Sequence, residues 1–344
     1  MSAELFELEM LGGGWERRYR KLRPEVEEMP WGTLDPREHP EALVLAARRS
    51  WTGAAFQEHR TGAACAETLR CLIECRAPLD LIAVASRFPL DEMVHVELCA
   101  RMAMELGGGT EIIHEPSEMI LHANPALEPV LRAAELVVFN FCVGEALSIP
   151  MLHGTWQAAV HPLPRAILGR IVKDEAAHGI FGWAFLDWAG ELLSESDRTH
   201  LGKTADLAIA GIHRIWADIE RRPRAADHQV HALGWMQTDA YLALARRSMR
   251  TKVIEPLLAR GIPVQHAIGD EAAVRVAVGT GPRGPLVGLG VPERARALVA
   301  HRACSVACTG IPRASSGSIT FVRIERRASA RYAPVCIQPS ACTW

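Results

Sequence analysis

Two segments of this chain, Asp91-Glu92-Met93-Val94-His95 and Asp174-Glu175-Ala176-Ala177-His178, repeat the pattern Asp-Glu-x-x-His. Each lies within a long run that reads as helix. Residues three apart on a helix sit one above the other on the same face, so each motif aims one carboxylate and one imidazole at a common point. One motif is at best a single metal site, and two facing each other make a dinuclear one. The surrounding segments, LIAVASRFPLDEMVHVELCARMAMEL and AILGRIVKDEAAHGIFGWAFLDWAG, are too apolar for freely solvated helices. Charged groups embedded there carry a heavy desolvation cost unless they are paired or bind a metal.

Four helices must position these groups. The periodicity predicts helix from about 41 to 75 with a break near Gly53 or Gly62, then a turn at Arg76-Ala77-Pro78-Leu79-Asp80. A second helix follows from 79 to 106, stopped by Gly107-Gly108-Gly109. In this hairpin Glu67 stands level with Glu92, counting ~1.5 Å of rise per residue. Glu58 or Glu74 takes its place if the turn lies a few residues away. After a crossover at 110–125, a third helix is expected at about 125–160 and a fourth at 163–193. Glu145 then faces Glu175 across the break His161-Pro162-Leu163-Pro164. The two halves thus read as Glu67 with Glu92 and His95, and Glu145 with Glu175 and His178. Gly144 and Pro150 flank Glu145, and a proline there removes one backbone hydrogen bond and bends the helix. Such a bend either opens a cavity beside the carboxylates or follows the curve of the bundle.

A pair of Glu-x-x-His helices, each joined by a glutamate from another helix, resembles the ferritin-like di-iron carboxylate superfamily. The resemblance spans roughly residues 41 to 265. It implies an all-α, ferritin-like four-helix bundle with additional C-terminal helices, expected near 195–222 and 230–260. It implies Glu67, Glu92, His95, Glu145, Glu175 and His178 as ligands of two iron ions, or of a manganese–iron pair, with at least one carboxylate bridging. It also implies that Asp91 and Asp174 accept the outer N–H of a ligand histidine, which fixes the tautomer.

The activity implied is that of a non-haem di-iron oxidoreductase, with dioxygen as co-substrate. It would oxidise a small organic molecule by hydroxylation or N-oxygenation, with electrons from a separate reductase or ferredoxin. The alternative is an iron-handling ferroxidase or a peroxide scavenger, against which stand the length of the chain and the lack of a rubredoxin-type cysteine set. Two departures bear on the subfamily. Ile171 occupies the position where arylamine N-oxygenases carry an additional histidine, leaving His114 and His153 as candidates from elsewhere. Tyrosine occurs only at 19, 241 and 332, none of them one or two turns from a ligand, which disfavours tyrosyl-radical chemistry.

At 344 residues the chain exceeds a bare four-helix bundle, and its net charge of −2 suggests neither nucleic acid nor phospholipid as a partner. No uninterrupted apolar run reaches the ~20 residues of a membrane span. The acidic N-terminus MSAELFELEM lacks a signal pattern, so the expected location is the cytoplasm and the expected state a monomer or small homo-oligomer. Residues 1–40 read as an arm with one short helix, anchored on the bundle by Trp15 and Trp31. Cys65, Cys71, Cys75, Cys99 and Cys142 fall in bundle helices as small hydrophobes. Residues 266–344 lose helical periodicity and read as an irregular, disordered tail; Cys304, Cys308, Cys336 and Cys342 lie there without zinc spacing.

Overall fold

The computed structural model describes residues 3–221 and 227–265, so the expectations for residues 266–344 fall outside the described residues. The fold is all-α, apart from one two-stranded ribbon among the described residues. The helices are α1 (Gly13–Lys21), α2 (Glu41–Glu74), α3 (Leu79–Ala85), α4 (Phe88–Glu105), α5 (Pro129–Val137), α6 (Ala146–Ala158), α7 (Pro162–Ala189), α8 (Glu195–Glu220), α9 (Asp227–Ala232), α10 (Thr238–Ser248) and α11 (Glu255–Ala259). A π-helical segment, Val138–Glu145, joins α5 to α6 without a break, and Met249–Ile254 joins α10 to α11 in the same way.

Four long rods form the bundle. α2 packs along α4, α6 along α7, and α4 and α7 meet at the centre. α8 covers the π segment and α10 covers α6. The core runs the length of the bundle through residues such as Leu72, Leu98, Met102, Phe141, Leu163 and Phe185, all of them buried.

Local sequence explains where the rods stop. Gly107, at φ +105°, closes α4 in the left-handed conformation, with the Gly108 N–H donating to the Ala103 carbonyl at 2.9 Å. This is the stop that a glycine after a helix predicts. α2 ends in the same geometry, but with Arg76 at φ +56° and Ala77 N–H donating to Leu72 O. The helix expected at 79–106 is two helices. Pro89 has no N–H with which to continue the ladder and sits instead in the first turn of a new helix, α4. The break expected in α2 is absent, and Gly62 is there for another reason. A Cβ at Gly62 would fall 2.6 Å from Met93 Cε and 3.3 Å from Glu92 Cβ, so the missing side chain lets α2 and α4 approach at the level of the site.

The N-terminal segment crosses the bundle. Its strand β1 (Glu4–Leu5) pairs antiparallel with β2 (Ile113–His114) of the crossover. Its anchors differ from those expected. Trp15 is exposed, whereas Phe6, Arg23, Val26 and Leu34 are buried. Arg23 is ion-paired with Glu27 and with Glu97 of α4, and the Tyr19 hydroxyl donates to the Met93 carbonyl at 3.2 Å. Trp31 contributes from a half-buried position, its indole N–H donating to Val26 O and its ring stacked under Arg101. One helical stretch, Pro129–Ala158, is long and apolar enough to cross a membrane, yet 72% of its most apolar window is buried inside the bundle. Cys65, Cys71, Cys99 and Cys142 are buried free thiols and Cys75 is partly buried.

Candidate metal centre

The two motifs face each other across the α4–α7 contact. Phe88 lies beneath His178 with ring centroids 4.1 Å apart and closes one end of the site together with Phe141 and Phe181. Glu92, His95, Glu175 and His178 are all buried. Each imidazole turns Nδ1 inward. His95 Nδ1 lies 3.8 Å from Glu92 Oε2 and 3.5 Å from Glu175 Oε1, while His178 Nδ1 lies 3.4 Å from Glu92 Oε1 and 3.2 Å from Glu175 Oε2. Both carboxylates therefore present one oxygen to each histidine.

Two overlapping donor groups result. Glu58, Glu92, His95 and Glu175 form one, and Glu92, Glu145 and His178 the other, with the donor atoms of each group within 4.8 Å of one another. The expected site residues Glu92, His95, Glu145, Glu175 and His178 are thus brought together, and Glu67 is not. Its place is taken by Glu58. Gly62 abuts Glu92, so in the antiparallel pair the residue nearly level with His95 is Glu58. Glu67 lies about 13 Å further along α2 at ~1.5 Å per residue. There it accepts the Ala123 N–H at 2.8 Å and both Nε and Nη2 of Arg70. It ties the crossover to α2, its carboxyl held below the usual range chiefly by Arg70. Glu74, the other alternative, pairs with Arg70 and Arg132.

The two aspartates work across the site. Asp174 Oδ2 is 3.2 Å from His95 Nε2, a hydrogen bond to the histidine of the opposite motif, whereas Asp91 Oδ2 faces His178 Nε2 at 3.8 Å, beyond hydrogen-bond distance. An arginine one turn earlier holds each aspartate: Arg170 Nε to Asp174 at 2.8 Å and Arg87 Nε to Asp91 at 3.2 Å. These arginines were missed at the sequence level, although both motifs extend to Arg-x-x-x-Asp-Glu-x-x-His, an i, i+4 ion-pair spacing that could have disclosed them. Ser148, one turn after Glu145, donates to Glu145 Oε2 at 2.8 Å. His114 packs against the rings of Phe6 and Phe56, and His153 is exposed beside Trp156; neither joins the cluster.

The electrostatics describe a cavity built for positive charge. Both oxygens of Glu92, Oε2 of Glu175, Nδ1 of His95 and both ring nitrogens of His178 are buried without a hydrogen-bond partner. Buried polar atoms are ordinarily paired, and here the unpaired ones converge. Burial pushes Glu58 up to about 8, opposed by His95 and assisted by the negative charge of Glu92. Burial also disfavours charge on His95, yet Asp174, Glu58 and Glu92 outweigh it and hold the imidazole well above its ordinary value. His178 is raised in the same way, burial being outweighed by Glu175, Asp91 and Glu92. Without a metal the imidazolium protons balance the carboxylates; a divalent cation would displace them, because ligation requires the neutral ring. Oxygen and imidazole donors in this number suit a first-row transition metal.

A cavity of about 30 Å³ adjoins the cluster, lined by Gln57, Glu58, Thr61, Glu145, Ser148, Leu152 and Glu175. Its walls come from α2, α6, α7 and the end of the π segment. That volume admits water-sized molecules. No protein-family model matches the chain, and no curated protein matches its sequence.

Proposed function

We propose that this chain is a non-haem di-iron oxidoreductase that activates dioxygen to oxidise a small organic molecule. The observation that carries the reading is the double sharing of Glu92 and Glu175: two buried carboxylates, each offering one oxygen to each of two inward-facing imidazoles, suit a pair of cations a few ångströms apart. Glu58 with His95 would complete one position and Glu145 with His178 the other. A ferrous pair, when bound, supplies two electrons to dioxygen at one place, which a single iron does less easily; a manganese–iron pair satisfies the same donors.

The protein's own part is positional and protective. Asp174, bonded to His95 Nε2, favours the tautomer that leaves Nδ1 facing the carboxylates, and Asp91 stands at 3.8 Å from the corresponding nitrogen of His178. Ser148 orients Glu145 at the cavity wall, and the aromatic cluster of Phe88, Phe141 and Phe181 excludes water behind His178. Room for an organic substrate would come from the wall formed by Glu145, Ser148 and Leu152. There the π turn, a frequent feature of functional sites, and Pro150 interrupt the regular backbone ladder. Electrons would be delivered by a separate reductase or ferredoxin.

The small cavity favours a second reading, iron oxidation or peroxide removal, in which only small molecules reach the centre. Excess ferrous iron supplied in air separates the two. An oxygenase takes up about two irons per chain, stays a monomer or small oligomer, and consumes dioxygen continuously only with reductant and an organic co-substrate. Accumulation of ferric mineral in large particles would overturn the first reading in favour of the second.

A further inference from the structure

The two histidines are supported unequally. On the His178 side, support passes from Asp91 to Arg87, whose side chain is 68% exposed. On the His95 side it continues outward. The guanidinium of Arg170, 9% exposed, holds Asp174 through Nε and turns Nη1 to the carboxylate of Glu25, in the 3-10 turn Pro24–Val26 of the N-terminal segment. A chain of contacts therefore runs from Glu25 through Arg170 and Asp174 to His95, joining residues far apart in sequence.

We infer that the N-terminal segment is part of the metal centre, with Glu25 a positioning residue that acts through Arg170 and Asp174 on His95; the inference rests on the reading of the cluster as a metal site. An arginine side chain has several rotatable bonds and loses much freedom when held in one geometry. The ion pair with Glu25 limits the positions open to the Arg170 guanidinium, and Asp174, which contacts both Arg170 Nε and His95 Nε2, is held between them. The segment does not depend on Glu25 for its attachment. Arg23 is wholly buried against Glu27 and Glu97, Val26 is buried, and Tyr19 is bonded to the α4 backbone. Loss of the Glu25 charge therefore loosens Arg170 without detaching the segment.

The test is anaerobic titration of the full-length, metal-free protein with Co2+, following the ligand-field absorption and the affinity of each equivalent. The variants are Glu25→Gln, Arg170→Met, their combination, and Glu28→Gln as an exposed neighbour. Partners of metal-ligating histidines are typically worth roughly 10–100-fold in affinity. Arg170→Met is expected to weaken one equivalent by about 10-fold or more, and Glu25→Gln, one step further out, to weaken the same equivalent by about 3-fold. Both should alter its absorption and leave the other equivalent unchanged. The combined variant should be no weaker than Arg170→Met alone, because residues acting in series are not additive, and Glu28→Gln should match the wild type. A Glu25→Gln protein identical to wild type, equal weakening of both equivalents, or additive effects would overturn the role of the segment. A wild-type protein that binds no stoichiometric Co2+ would instead overturn the metal-centre reading beneath it.

Discussion

The two halves of the site carry the same residues in the same order and differ in what stands behind them. Behind His95, Asp174 lies at 3.2 Å and is held at 2.8 Å by a nearly buried Arg170. Behind His178, Asp91 lies at 3.8 Å, its arginine is largely exposed, and an aromatic face packs on the ring instead. Charge-assisted bonds strengthen as their surroundings lose water, so the first histidine is fixed mainly by polar contacts and the second mainly by packing. A repeated motif thus produces two inequivalent positions, because the helices around it are not repeated.

The largest expected effect removes the comparison altogether. Glu92 belongs to both donor groups and Glu175 offers an oxygen to each histidine, so on the dinuclear reading Glu92→Ala should reduce both metal equivalents and Glu175→Ala at least one, whereas Glu145→Ala should weaken one. Metal analysis after equilibrium dialysis reads this directly, and retention of one full-affinity equivalent in Glu92→Ala would contradict the sharing. Next comes the difference between the halves. Asp174→Asn should cost one equivalent roughly 10–100-fold in affinity, and Asp91→Asn, whose partner is already distant, distinctly less. Equal losses in a two-site titration would mean that the polar support behind His95 confers no advantage.

The pH dependence is smaller and has a definite sign. Glu58 has its folded pKa raised to about 8 from an ordinary value of 4.5. Between those values the unfolded chain gives up a proton that the folded chain keeps, so metal-free stability falls as pH rises through this window. His95 and His178, both raised, act in the same direction: their contribution is present below an ordinary histidine pKa and is lost as pH rises toward their folded values. Denaturant midpoints of the metal-free protein should therefore fall from pH 5 to 8. Glu58→Gln should flatten that slope, and bound metal, which replaces the protons, should reverse it. An unchanged slope in Glu58→Gln would remove Glu58 from the buried cluster. The smallest effect lies outside the site. Glu67→Ala should leave metal binding untouched while costing about 1 kcal/mol of stability through the lost crossover bond, measurable by urea unfolding.

Much of the fold was legible because its signals are local. The rods, the glycine stop after α4 and the approximate length of the crossover follow from periodicity and turn chemistry. The proline restart at Pro89 divides the helix expected at 79–106, and the level count across the turn goes astray by itself: a hairpin centred near Ala77 sets Gly62, not Glu67, opposite Glu92, which brings Glu58 near His95. Residue type alone points to Trp15 as an anchor, whereas Trp15 is exposed and the buried Arg23 and Val26 hold the segment. The arginines behind Asp91 and Asp174 are legible in the sequence only as a spacing, Arg-x-x-x-Asp before each Glu-x-x-His. The contact between Glu25 and Arg170 was not visible, since nothing local relates a 3-10 turn near the N-terminus to the middle of α7.

The amino-acid sequence by itself determined the helical class, the two Asp-Glu-x-x-His faces and the need for compensating charge, because i, i+3 geometry and desolvation act within one element. Which aspartate serves which histidine, which glutamate of α2 reaches the cluster, and how unequal the two positions are were decided only by tertiary structure. Those outcomes depend on the axial offset between packed helices, and a shift of one turn, ~5.4 Å, exchanges one carboxylate for another.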